Sequence, residues 1–193
     1  MNRDEAAILH NTALRFRGRR GLEIGSWLGW STCHIAMAGV VLDAVDPELA
    51  NPVVRQSVES SLSMAGIRGL VNLVASASPA AVPRLAGGRK WSFFFIDGDH
   101  ESPAPTLDAQ ACAAHATDDA LILFHDAAAP AVAAALDWLR DAGWQTALYQ
   151  TMQILGVAWR GQIEPLHHQP DPSVEWTLPR HVANHPVREL AGP

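Results

Sequence analysis

Through about Arg160 the chain alternates short, β-rich apolar runs with longer stretches whose apolar residues recur at helical spacing. That alternation confines it to a parallel sheet with crossover helices. Strands are expected at 21–24, 40–45, 70–75, 91–97, 119–124, 144–149 and 153–159. Helices are expected over 29–38, 51–65, 79–86, 103–116 and 129–142, with Gly39, Gly66, Gly87 and Gly143 as C-terminal stops. Only Gln150-Thr151-Met152 separates the last two strands, too short for a crossover helix, so they must form an antiparallel hairpin at a sheet edge. The expected fold is α/β, a doubly wound seven-stranded sheet, mostly parallel, with an antiparallel terminal hairpin strand. Residues 1–160 form this domain, and about 18 residues before the first strand are read as too few for a substantial N-terminal cover. Residues 161–193 hold Pro165, Pro170, Pro172, Pro179, Pro186 and Pro193 and are read as a tail packed on the same domain or on a partner subunit.

Composition narrows the function. A formal charge of -6 with only 14 Lys and Arg argues against a nucleic-acid groove, which needs clustered cations to neutralise phosphates. The one dense cluster, Arg15, Arg17, Arg19 and Arg20, reads as a solvated helix end. Apolar runs such as Phe93-Phe94-Phe95-Ile96 fall well short of the roughly 20 residues that cross a bilayer. The N-terminus has no basic run followed by an apolar one, as a secretory signal would, and two cysteines, Cys33 and Cys112, fit a reducing cytoplasm. A homodimer through the edge hairpin and apolar tail is also expected.

In open α/β sheets ligands bind beyond the carboxyl ends of the strands, so those ends carry the chemistry. The first reads Leu22-Glu23-Ile24-Gly25-Ser26-Trp27-Leu28-Gly29-Trp30-Ser31-Thr32. A dinucleotide loop needs G-x-G-x-x-G, but Trp27 and Trp30 occupy its second and third glycine positions. Asp46 ends the second strand, 21 residues after Gly25, where an acceptor for ribose hydroxyls belongs. The alternative is that it starts a turn and caps the helix that follows.

The stretch LEIGSWLGWST resembles motif I of the class I S-adenosylmethionine-dependent methyltransferases, in the form common among O-methyltransferases, and so implies a Rossmann-like fold. The resemblance implies that Gly25, Ser26 and Gly29 shape the methionine pocket and that Ser31, in the first turn of a helix, binds the donor's carboxylate. It further implies that Glu23 holds the donor's ammonium, Asp46 the ribose, and Ser76 the adenine.

The fourth strand ends in Asp97-Gly98-Asp99-His100 and the fifth in His125-Asp126. Clustered acids repel one another and lose hydration, a cost that a bound ligand or divalent cation offsets. These segments resemble the small-molecule O-methyltransferase group that includes macrolide-sugar and rhamnosyl enzymes, over residues 20 to 127. By that resemblance Asp97 and Asp126 bind magnesium, and Asp97 also borders the donor. His125 stands where many relatives place an oxygen ligand, so an imidazole there admits manganese, iron or zinc. Asp99 is the preferred general base and His100 the alternative.

The leading expectation is therefore S-adenosylmethionine-dependent O-methylation of a small hydroxylated molecule with a divalent cation. The alternatives are a non-catalytic donor-binding protein, a nicotinamide-dependent oxidoreductase and a metal-dependent phosphoesterase.

Overall fold

The computed structural model describes residues 1–173 and 175–188. Strands β1 (Arg20–Ile24), β2 (Val41–Val45), β3 (Val71–Val74), β4 (Trp91–Ile96), β5 (Ala116–Phe124), β6 (Gln145–Tyr149) and β7 (Leu155–Arg160) form one sheet in the order β3-β2-β1-β4-β5-β7-β6. The first five pair in parallel, and β7 runs antiparallel to both β5 and β6. All seven expected strands and the terminal hairpin are present. β5 begins earlier than expected because Ala116 pairs with Trp91 across a register shift.

Helices α2 (Trp30–Met37), α3 (Pro52–Met64), α4 (Ala81–Ala86), α5 (Ala104–Ala114) and α6 (Pro130–Asp141) match the expected crossovers. The N-terminus departs from expectation: it forms a helix, α1 (Arg3–Leu14), that covers the sheet. Asn2 accepts a hydrogen bond from the Glu5 amide while Glu5 accepts one from the Asn2 amide, a reciprocal cap that satisfies two end groups at once. Ile8, Leu9 and Ala13 then bury the apolar face of α1 against the sheet.

Both faces of the sheet are covered, which is why β4 reads as an unbroken apolar run. Phe93 and Phe95 pack with α1, α2 and α3, whereas Phe94 and Ile96 pack with α4, α5 and α6. The arginine cluster is not simply a solvated helix end. Arg20 opens β1, donates to Asp43 at 2.7 Å and lies 5.0 Å from the Trp91 ring centre. The described part of the tail packs on its own domain: Leu148 donates to the Pro186 carbonyl at 2.8 Å, Arg188 donates to the Leu148 carbonyl at 2.7 Å, and Val182 is buried. Among the described residues no helix is long and apolar enough to cross a membrane.

The register positions the functional residues. Ile24 pairs with Val45 on one side and Ile96 on the other, and Ile96 pairs with Phe124. The residues that follow, Asp46, Gly25, Asp97 and His125, therefore stand in one row across four adjacent strands spaced about 4.8 Å apart. The row spans the β1/β4 boundary, where the strand order reverses and open α/β sheets leave a crevice.

Candidate active site

Beyond β1 the chain turns through Gly25 to Gly29 into α2. Gly25 has φ 86°, and a Cβ there would fall on the Asp97 carbonyl. Gly29 has φ 80°, and its Cβ would lie 2.9 Å from Val58 of α3. Both positions thus need glycine, for backbone conformation and for close approach. Asp46 ties this loop to β2: its Oδ2 accepts from the amides of Ser26 at 2.9 Å and Trp27 at 2.6 Å, and its Oδ1 accepts from Glu48 at 2.8 Å. A carboxylate has about four acceptor positions, so one remains for a ligand while the loop stays tethered. Both readings of Asp46, helix cap and ligand acceptor, thus bear on the same side chain.

The loop borders a cleft of about 1180 Å³. Single-ligand pockets run roughly 300–1,000 Å³, so a donor and an acceptor can share this one. Gly25, Ser26, Gly29, Ser31, Asp46, Asp97 and Asp99 line it; Glu23, Ser76, His100, His125 and Asp126 do not. Gly29 provides no side-chain cap for α2, whose first turn meets the cleft at Trp30 and Ser31. Such uncapped amides favour an anion. The loop after β3 reaches the cleft through Ala77 and Ser78, while Ser76 is half-buried outside it and accepts from Arg84 at 2.9 Å.

Glu23 is fully buried and accepts from the Thr32 hydroxyl at 2.6 Å, and its Oε1 has no partner. Burial pushes its pKa up to about 8 against hydrogen bonds from Ser31 and Thr32, with the charges of Asp97 and Asp46 adding to the rise. At neutral pH its carboxyl largely keeps its proton.

At the ends of β4 and β5 the groups are ionic. The two nitrogens of buried His125 face carboxylates on opposite sides: Nδ1 lies 2.8 Å from Asp126 and 3.3 Å from Asp97, and Nε2 lies 3.2 Å from Glu5 of α1. Burial alone would lower its pKa, but hydrogen bonds to Asp126, Asp97 and Glu5 raise it to about 11. Burial would likewise raise Glu5, yet bonds from His125 and from the Asn2 and Gln153 amides bring it down to about 2. Both His125 nitrogens are thus turned to carboxylates, which favours the protonated ring. His125, expected as a ligand, is not among the three residues whose ligand atoms converge.

His100 fits that role better. Its Nε2 is buried without a hydrogen-bond partner, 3.6 Å from Asp97 Oδ1 and 3.5 Å from Asp126 Oδ2. Among the described residues, Asp97, His100 and Asp126 bring their ligand atoms within 4.8 Å of one another. Two carboxylates and an imidazole converging in this way are a donor set that suits a divalent ion. Asp126 also has φ 56°, an uncommon backbone conformation for a non-glycine residue. Of the two base candidates, Asp99 faces the cleft and accepts from the Glu101 amide at 2.9 Å, whereas His100 turns toward Asp97 and Asp126. Glu5 is the member of this cluster that sequence reasoning missed. The Asn2-x-x-Glu5 spacing marks a helix start, but nothing in it points to His125.

Solved structures that include O-methyltransferases share this fold. Cofactor-bound Rv0187 from MTB superposes with a TM-score of 0.69 at 23% identity, over 82% of this chain and 80% of that one. The O-methyltransferase TomG from Streptomyces achromogenes, in complex with SAM, gives 0.68 at 19% identity over 83% and 82%. An O-methyltransferase from Bacillus cereus in complex with SAH gives 0.68 at 13% identity over 83% and 82%. No curated protein matches the chain. A family model described as a methyltransferase domain matches residues 22–127, and the chain belongs to that family.

Proposed function

We propose that the chain transfers the methyl group of S-adenosylmethionine to a hydroxyl of a small molecule. The observation that carries this reading is the row Asp46-Gly25-Asp97 at the edge of one large cleft, with two obligatory glycines at the β1 turn. The donor supplies an electrophilic methyl on a sulfonium. Gly25, Ser26 and Gly29 give it backbone room, the first turn of α2 with Ser31 suits its carboxylate, and Asp46 suits a ribose hydroxyl. Glu23, buried with one oxygen free, would ionise if an ammonium approached. The adenine is assigned to the loop after β3, through Ser78 in preference to Ser76.

The acceptor's oxygen attacks the methyl carbon in line with the departing thioether sulfur, and its proton must go to a base. Asp99, which faces the cleft, is that base in this proposal. Asp97, His100 and Asp126 would hold a divalent cation, which would supply Lewis acidity at the Asp97 edge of the cleft. The imidazole in that set favours manganese, iron, cobalt or zinc over magnesium. A cytoplasmic setting with no nucleic-acid partner, and a homodimer, complete the proposal. The two unpaired cysteines fit the former.

Calorimetry with S-adenosylhomocysteine, with and without a chelator, tests donor and cation separately. Binding of S-adenosylhomocysteine is expected, and failure to bind ends the methyl-transfer reading. Titration of chelated protein with Co2+ is expected to give a visible absorption band that His100→Ala removes and His125→Gln keeps; the reverse pattern returns the ligand role to His125.

A further inference from the structure

The surface of the cleft constrains the acceptor. Among the described residues its lining includes three carboxylates, Asp46, Asp97 and Asp99, together with Met1, which bears the terminal amine, and no Lys or Arg side chain. The one histidine there, His34, has its pKa lowered by burial and by neighbouring His10, and at neutral pH it adds no full positive charge. The open start of α2 is taken by the donor's carboxylate and Asp97 faces the candidate cation, so on the acceptor side phosphates, sulfates, carboxylates and coenzyme A esters would meet Asp99 with no Lys or Arg side chain to receive them.

The rim is apolar and aromatic. Trp27, Trp30, Leu28 and Met37 all line the cleft and are 67%, 59%, 45% and 44% exposed. A contiguous exposed apolar group of this kind marks a binding surface. Trp27 also has φ 39°, an outlying backbone conformation for a bulky residue, held by the bond from its amide to Asp46. The backbone thus holds a flat indole at the mouth of the cleft where no protein side chain covers it. Trp30, by contrast, leans edge-on against His34 at 4.9 Å, leaving Trp27 as the freer ring.

Resting on the methyl-transfer reading above, we infer that the acceptor is an uncharged or cationic aromatic alcohol that stacks on Trp27, in preference to an anionic one. The indole face provides stacking area and, for an amine-bearing acceptor, a cation–π contact. The carboxylates that repel an anion leave a neutral phenol unaffected and attract an ammonium.

Calorimetry on protein saturated with S-adenosylhomocysteine, using three probes with the same ring and hydroxyl, tests this. They are 4-methylphenol (neutral), tyramine (cationic) and 4-hydroxyphenylacetate (anionic). The first two are expected to bind about tenfold or more tighter than the third. Trp27→Gly should weaken both by about 2- to 10-fold, and Trp27→Leu, which keeps the bulk, should do the same if the glycine variant is unstable. Asp99→Lys should narrow the gap between anion and cation. An anion that binds as tightly as tyramine, a Trp27 variant that leaves both affinities unchanged, or no heat from either favoured probe overturns the inference. Failure of S-adenosylhomocysteine itself to bind instead sinks the methyl-transfer reading beneath it.

Discussion

The two halves of the strand-end row are built on different principles. On the β1/β2 side the site is mostly backbone: two glycines, two loop amides held by Asp46, and the open start of α2, all within a few residues of one turn. On the β4/β5 side it is mostly charged side chains, and its deepest member, Glu5, comes from 120 residues away in sequence. A backbone-built region fails when a side chain is added. A charge-built region fails when one is taken away, because the partners left behind are buried and unpaired.

That contrast is sharpest at Glu5. Glu5→Ala would strand the His125 imidazolium and the Gln153 amide in a buried setting. A loss of about 3–5 kcal/mol in unfolding free energy is expected by denaturant titration. The pH dependence follows from the shifts. Glu5 has its pKa depressed to about 2, so its contribution is present above about 4.5 and fades as pH falls toward 2. His125 has its pKa raised to about 11, so its contribution is complete below about 6.5 and is lost as pH rises through 11. The gap between wild type and Glu5→Ala should therefore be widest between about pH 4.5 and 6.5; a gap independent of pH breaks the account.

Gly25→Ala tests the other half. The added methyl meets the Asp97 carbonyl in a backbone conformation that alanine resists. A cost of about 2–4 kcal/mol is expected, with binding of S-adenosylhomocysteine lost in calorimetry even where the variant stays folded. Retained affinity would mean that the turn does not contact the donor.

Glu23 sits between the two regimes, a buried acid on the backbone-built side. Its folded pKa of about 8 lies above the ordinary carboxyl value, so the native state favours the proton and loses stability as pH rises from about 4.5 through 8. Glu23→Gln keeps the shape without the charge. Its advantage over wild type should grow by about 1–2 kcal/mol between pH 5 and 9, less than the shift alone implies because local relaxation absorbs part of it. Parallel pH profiles for the two proteins would place the proton elsewhere.

The same divide explains what could be read in the amino-acid order. The sheet was legible because each strand is a local apolar run bounded by glycine or a charged turn, and the glycine loop was legible because its spacing is contiguous. Asp46, Asp97 and Asp99 were found as the residues where apolar strands stop. Geometry separated the adjacent His125 and Asp126, since a neighbour supplied by α1 decides which atoms of His125 remain free. Ser76 and Ser78 are told apart only by side-chain direction, which the order of residues in a loop does not carry. The helix at the N-terminus carried its own signal in Asn2 and Glu5, but its buried face touches the sheet only through long-range packing.

The placement of β7 between β5 and β6 has a consequence for how the molecule comes into being. As the chain leaves the ribosome, the far edge of β5 has no neighbour until Arg160 has been made, and Glu5 waits as long for the Gln153 amide. The backbone-built half can close once Asp97 has emerged, while the ionic half is finished only once the last hairpin folds back into the sheet.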